Sequence, residues 1–317
     1  GRIRSHTNPD GRFLKRKRPF CIRNNAQKLE SVKKAEPASG KISADFLSAI
    51  LFYSVVPSLP FPHNKEITMS GFRFDVLAEY WPLFAEGIGM TLKLTIGCVI
   101  CGVFLGMLLG MARMAEARHD PWKSILYYGV RWPVTIWVSF FRGTPLFVQI
   151  FLMYFAVLPV FIHPVDGLII SGNLAREIRS NYGAFLAGFF AITLNAGAYM
   201  SEVFRAGIQS LDKGQSEAAR SVGMTYWQCM RHIILPQAFR RMLPALGNNA
   251  IAILKDSSLV SAIGLTELAY AARTVAGASA RYWEPYLTIS LMYWVATLGL
   301  AWLIHMLEKR LGKGDDK

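Results

Sequence analysis

Two groups of polar residues sit in otherwise apolar sequence, and their types suit the handling of a small charged solute. Asn195, Tyr199 and Glu202 fall in the run Tyr182–Val203. Asn248, Asn249, Lys255, Asp256 and Ser257 fall in the run Met242–Leu265. Polar groups away from water cost free energy unless something satisfies them, and in a membrane such residues mark a path for solute or ions. Amides, a phenol, carboxylates and an ammonium together match a zwitterion. Two positions carry a second reading. Arg205, one turn beyond Glu202, can pair with it for structure alone, and Lys255-Asp256 either interrupts a span or ends one at the membrane interface.

A third polar stretch, Gln215 to Pro236, is built differently. Glu217-Ala218-Ala219 opens a short helix, and Gly223 can take the left-handed conformation that stops it. Thr225 starts a second helix, with Gln228 three residues on as its capping-box partner. Pro236 is expected to close that helix. Helix–Gly–helix in a basic segment between apolar runs reads as either an ordinary loop or a docking element for a soluble partner.

Other chemistries find no support. Cys98 and Cys101 match C-x-x-C but lie in an apolar run, where they read as packing residues. The histidines (His6, His63, His119, His163, His232, His305) are scattered, with no paired metal spacing. The sequence contains no phosphate-binding G-x-x-x-x-G-K-[ST] and no G-x-S-x-G elbow, so neither a nucleotide site of that kind nor that hydrolase chemistry is expected here.

The elements that must position these residues follow from composition. Of 317 residues 52% are hydrophobic and only 18% charged, against roughly 25% charged in soluble domains. The expected class is an all-α polytopic membrane protein. Gly87–Met111 is the first span, with Gly102, Gly106 and Gly110 as a line of small residues suited to close helix packing in lipid. Ser124–Phe141 and Leu146–Phe161 are split by Arg142-Gly143-Thr144-Pro145. As one helix they would run about 57 Å, nearly twice the ~30 Å hydrocarbon core, so the chain must break there. Either both halves span, or the first lies at the interface, which Trp132 and Trp137 suit. Tyr182–Val203, Met242–Leu265 and Tyr286–Met306 complete about five spans.

Charge is uneven along the chain. Of the net +14, residues 1–68 carry +8 (13 Lys/Arg, 5 Asp/Glu) and residues 69–317 carry +6 (22 against 16). The first segment lacks apolar periodicity through residue 45 and is followed by a Pro-broken apolar patch, Phe46–Pro62. It is expected to be a disordered leader or a mis-called extension rather than a nucleic-acid-binding arm, with the fold occupying 69–317. For five spans, thirteen Lys/Arg flank one face (113–123, 205–241, 309–317) and five the other (Arg73, Arg176, Arg179, Arg273, Arg281). The positive-inside rule then places Gln215–Pro236 and the C-terminus in the cytoplasm and Met69 outside, in the cell (inner) membrane. Six spans would reverse the N-terminus.

The spacing Glu217-Ala218-Ala219, Gly223, Ile233, Leu235-Pro236 resembles the EAA signature of membrane subunits of binding-protein-dependent ABC importers. Arg142-Gly143-Thr144-Pro145-Leu146 with Gln149, Gly197-Ala198-Tyr199 with Glu202, and Leu254 to Leu259 resemble its polar amino acid branch. The likeness runs from about residue 69 to the end. It implies five spans with the N-terminus of the fold outside. It also implies that the EAA loop is a coupling helix gripped by a separate ATPase through Glu217, Ala218, Ala219, Gly223, Leu235 and Pro236. ATP is then bound and hydrolysed on that partner, with no cofactor, catalytic residue or metal in this chain. The other implied partners are an extracytoplasmic solute-binding protein, a second permease subunit (identical or paralogous) and membrane lipid, with no nucleic acid. The alternative is an ion- or proton-coupled secondary transporter acting alone, which would usually show internal repeats; none is apparent.

Overall fold

In lipid an apolar chain must satisfy its backbone internally, which leaves the helix as the working element. The computed structural model describes residues 71–114 and 121–312, and these form α1 (Phe74–Met114), α2 (Pro121–Gly143), α3 (Leu146–Leu152), α4 (Leu158–Phe161), α5 (Gly172–Gln209), α6 (Lys213–Ser221), α7 (Tyr226–Cys229), α8 (Leu235–Asp256), α9 (Leu268–Ser279) and α10 (Trp283–Gly312). Wide π turns, Met153–Val157 and Met230–Ile234, join α3 to α4 and α7 to α8. The 3₁₀ segment Ser257–Ile263 follows α8. The expectation of a leader over residues 1–68 lies outside the described residues.

Among the described residues three helices are long and apolar enough to cross a membrane: α1, α5 and Trp283–Arg310 within α10. Tyr128–Gly143 and Leu146–Phe161 form a fourth candidate, bent by 110° at the predicted break. The remaining expected span, Met242–Leu265, maps onto α8 and the 3₁₀ segment. It is too polar to qualify by hydropathy, since α8 carries Arg240, Arg241, Asn248, Asn249, Lys255 and Asp256. It nevertheless buries Met242, Leu246, Ala250, Ile253 and Leu254, and packs against α5 and α10. The interruption at Lys255–Ser258 is a change of helix type: α8 stops at Asp256, the chain tightens to 3₁₀, and Gly264 ends it at φ 87°.

The most extensive pairing is α1 on α5. It forms because α1 presents its small residues there. A Cβ added at Gly102, Gly106 or Gly110 would approach Ala196 Cβ at 3.0 Å, Met200 Cβ at 2.5 Å and Phe204 Cβ at 3.0 Å. The expected glycine line is thus the contact face, set against Ala196, Met200 and Phe204, all buried. A second, smaller core gathers Val76, Phe84, Leu268, Ala271, Val275 and Ile289 from α1, α9 and α10. Cys98 is buried and donates to Phe189 O at 3.6 Å, while Cys101 is exposed. The C-x-x-C pair therefore does not converge.

The helix–Gly–helix segment forms with two corrections. Its first helix starts at Lys213, earlier than Glu217, because Asp212 caps it by accepting from Gly214 N at 2.8 Å. Its second does not close at Pro236. Thr225 and Gln228 make the expected capping box, and the chain then runs through the π turn into α8, with Pro236 in the first turn of α8. Proline lacks a backbone donor and its ring crowds the preceding turn, and a π turn widens the ladder at that point. Gly223 has φ 84°, as expected.

Gly106→Val should push α1 off α5, lowering stability by about 1–3 kcal/mol. Gly299→Val, where an added Cβ meets nothing within 4 Å, should be tolerated. Thermal unfolding in detergent compares the two. Equal melting points would show that α1 and α5 do not depend on this close approach.

Candidate functional site

Pro145 has no backbone N–H, so the carbonyl of Phe141, four residues earlier, loses its helical partner. Two side-chain amides replace it. Gln149 Nε2 donates to Phe141 O at 2.9 Å and Asn195 Nδ2 donates to the same oxygen at 3.0 Å. Gln149 Nε2 also reaches Thr144 O at 3.0 Å and Thr144 Oγ1 at 2.8 Å, while its Oε1 accepts from Asn195 at 3.0 Å. Gln149 is buried. The bend between α2 and α3 is thereby bolted to α5, with one amide pair doing the work of the missing ladder bonds.

Beside this joint lies a cavity of about 450 Å³. Its wall includes Arg142, Thr144, Asn195, Tyr199, Asn249 and Asp256, with Ile192 and Ile253 as apolar neighbours. Four of the residues singled out in the sequence (Asn195, Tyr199, Asn249, Asp256) therefore meet in one place, drawn from α5 and α8. The other four do not line it: Glu202 lies outside the wall, Asn248 and Lys255 are exposed, and Ser257 is buried with its hydroxyl donating to Leu254 O at 2.7 Å. Asn249 Nδ2 donates to Ala245 O at 2.9 Å. Arg142 adds a cation that residue typing alone did not mark, 5.5 Å from the Tyr199 ring centroid, where a guanidinium is attracted to the π face.

Glu202 lies next to this wall and is held by three guanidiniums. Arg113 Nη1 donates to its Oε1 at 2.6 Å and Arg142 Nη1 to the same oxygen at 3.0 Å. Arg205 grips Oε2 through Nε at 3.1 Å and Nη2 at 2.9 Å. The pairing with Arg205 is present, yet two further arginines from α1 and α2 join it. One carboxylate among three cations leaves two positive charges in excess, and Arg142 is the most exposed of the three, with 43% of its side chain accessible.

The loop after α5 places Glu217, Ala218 and Gly223 at the surface. Ala219 instead packs into this chain's own core with Leu211, Cys229 and Ile234. Val222, Tyr226 and Trp227 are exposed at 77%, 53% and 73%, an apolar tip on a braced loop. Gly223 N donates to Arg220 O and Met224 N to Ala219 O, both at 3.0 Å, closing the turn between the two helices. Leu235 and Pro236 lie at the start of α8.

The family model for the binding-protein-dependent transport system inner membrane component matches residues 125–313, a segment holding the whole cavity wall and the loop. The chain belongs to that family. The permease is 32% identical to the arginine transport system permease protein ArtQ of Bacillus subtilis over 242 residues, 76% of this chain and 98% of the relative. It is 34% identical to the L-cystine transport system permease protein TcyB of the same organism over 239 residues, 75% and 90% of the two chains. The glutamate/aspartate import permease protein GltK of Escherichia coli O157:H7 matches at 32% over 242 residues, 76% and 99%. Among solved structures, a chain from the crystal structure of an amino acid ABC transporter with histidines aligns with TM-score 0.61 at 37% identity, covering 76% of this chain and 99% of that one.

One buried group in the permease had no signal in its sequence. Glu267 is fully buried, caps α9 by accepting from Ala269 N at 2.9 Å and Tyr270 N at 2.8 Å, and accepts from Tyr293 Oη at 2.8 Å. Leu268 N donates to Thr91 Oγ1 at 3.3 Å beside it. The cluster ties α1, α9 and α10 together. Glutamate is not among the preferred N-cap residues, so the pattern around it does not announce a cap.

Gln149→Leu should leave Thr144 O and Thr144 Oγ1 without the amide donor and Phe141 O held by Asn195 alone, a loss of about 1–3 kcal/mol. The expected result is a clear drop in the melting temperature of the detergent-purified permease, with membrane insertion retained. No change in melting temperature would mean that the amide joint does not hold the bend.

Proposed function

We propose that this permease carries a zwitterionic amino acid, or a solute of the same chemistry, through the cavity at the α2–α3 bend. The observation that carries this reading is the composition of the cavity wall, where a guanidinium (Arg142), a carboxylate (Asp256) and two amides (Asn195, Asn249) share one space. A free amino acid presents a carboxylate, an ammonium and hydrogen-bonding groups to match. The amino acids named in the relatives' descriptions support the class without selecting among its members. Tyr199 and Glu202 then act with Arg142 at the edge of the path. Asn248, Lys255 and Ser257 stand apart from it in this conformation.

Energy comes from a separate ATPase that grips the surface of the loop through Glu217, Ala218, Gly223 and the apolar tip. Ala219, Leu235 and Pro236 transmit the motion inward. The exposure of Val222, Tyr226 and Trp227 supports a protein partner there, since exposed apolar patches on otherwise polar loops mark interaction sites. An extracytoplasmic solute-binding protein delivers the solute, and a second permease subunit, identical or paralogous, completes the pathway. The excess of Lys/Arg around the loop and the C-terminus supports a cytoplasmic location for both, with Met69 outside.

Two measurements test this. In proteoliposomes holding the permease with its ATPase and binding protein, uptake of labelled amino acids should require ATP, and Asp256→Asn should lower it at least about tenfold, the factor of ~1.4 kcal/mol that one lost charged hydrogen bond supplies. Uptake driven by an ion gradient without ATP would reject the reading. Gly223→Asp should insert normally, because the position is open and the left-handed backbone costs only about 1–2 kcal/mol. It should nevertheless abolish transport while ATP hydrolysis persists. Failure to insert would assign Gly223 to folding instead.

A further inference from the structure

A second cavity lies farther along α5, at Phe204. Met107 of α1, Phe204 of α5 and Leu235, Pro236, Phe239, Arg240 and Met242 of α8 enclose about 430 Å³. Its wall is apolar except for Arg240. We propose that this groove holds one acyl chain of an anionic phospholipid, with the lipid phosphate at Arg240.

Depth, charge and shape point to this occupant. Met107 lies in the apolar run Gly87–Met111 and Phe204 directly precedes Arg205, so the groove spans the level at which apolar sequence in α1 and α5 gives way to Arg113 and Arg205. That is where a phospholipid changes from chain to headgroup. The charge is one-sided: from Ala218 to Lys255 the chain has Arg220, Arg231, Arg240, Arg241 and Lys255 and no acidic residue. Arg241 adjoins Met242 in the groove wall, and Arg231 precedes Leu235 by one turn. Basic pockets between membrane helices recognise anionic headgroups in this way. Arg240 already has a contact within the protein, and a guanidinium with five N–H donors can hold such a contact and a phosphate together. A second copy of the chain is a poorer occupant, because a two-fold contact would set the same basic stretch against itself. The α8 end of the groove includes Leu235 and Pro236, so a bound lipid chain packs where the loop becomes α8.

The test uses the full permease with its ATPase in lipid nanodiscs. Phosphatidylglycerol carrying a photoreactive diazirine on one acyl chain is compared with phosphatidylcholine carrying the same chain, and labelled peptides are mapped by mass spectrometry. Phosphatidylglycerol should label the peptides containing Met107 and Phe239–Met242. Arg240→Gln should lower that labelling roughly fivefold, the factor one basic residue near an anionic surface supplies, and Arg240→Lys should restore most of it. Equal labelling by phosphatidylcholine, or no response to Arg240→Gln, would overturn the proposal. So would cross-links placing a second permease or the ATPase in the groove. Phe239→Asn alters the apolar wall at an exposed position without changing charge. If Arg240→Gln fails to insert, this variant decides, and unchanged labelling rejects the site.

Discussion

The architecture around the cavity depends on one unpaired carbonyl. In hydrocarbon a backbone oxygen without a donor costs several kcal/mol, so a proline inside an apolar run demands a replacement. Pro145 creates that demand at Phe141 O, and Gln149 and Asn195 meet it together. The consequence is geometric. Gln149 is one turn past the bend and Asn195 is on a different helix, so satisfying the carbonyl also fixes where α2, α3 and α5 stand relative to each other. The cavity is the space such a joint leaves, since helices bent by 110° cannot close-pack over the bend. Asn195 thus serves two ends: its amide nitrogen holds the joint, and its side chain helps to wall the cavity.

Charge around Glu202 adds a constraint of a different kind. The arginines that meet there come from α1, α2 and α5. Three guanidiniums in one place repel each other, and a single carboxylate shared by all three makes the arrangement tenable. Its two oxygens divide the task, Oε1 holding Arg113 and Arg142 and Oε2 holding Arg205. Because Arg142 also lines the cavity, the end of α2 is tied at two points one residue apart, by the amide joint at Phe141 and by the ion cluster at Arg142. A movement of α2 relative to α5 has to disturb both.

Much of this was legible in the sequence, and the remainder was hidden for definable reasons. The break at Arg142–Pro145, the glycine face of α1, the left-handed Gly223 and the Thr225–Gln228 box are local, set by proline chemistry, residue size and capping. Pro236 misled because local rules forbid proline within a helix but say nothing about a π turn upstream that makes room for it. Asp212 went unread as a cap because the conspicuous Glu217-Ala218-Ala219 follows it. At the site, residue type pointed to Asn195, Tyr199, Asn249 and Asp256. It could not separate Asn249 from Asn248, adjacent residues on a helix whose direction of burial is set by α5 and α10. Arg142 was visible only as part of a break, and its place in the wall follows from the fold of α2 over α5. Glu267 depends on its contact with Tyr293, and its neighbour Leu268 on Thr91, both far away in the chain.

The same core joins the exposed loop to the helices that wall the cavity. The loop is not an appendage: Leu211, Ala219, Cys229 and Ile234 are buried in the core that also contains Ile192, Ala196, Phe204, Met242 and Ile253. It leaves from the end of α5, which carries Asn195 and Tyr199, and returns through the π turn into α8, which carries Asn249 and Asp256. Both polar walls of the cavity are therefore rigid extensions of the two ends of the loop. Packed interiors resist compression and transmit displacement. The π turn Met230–Ile234 is the point on that route where the helical ladder is widened.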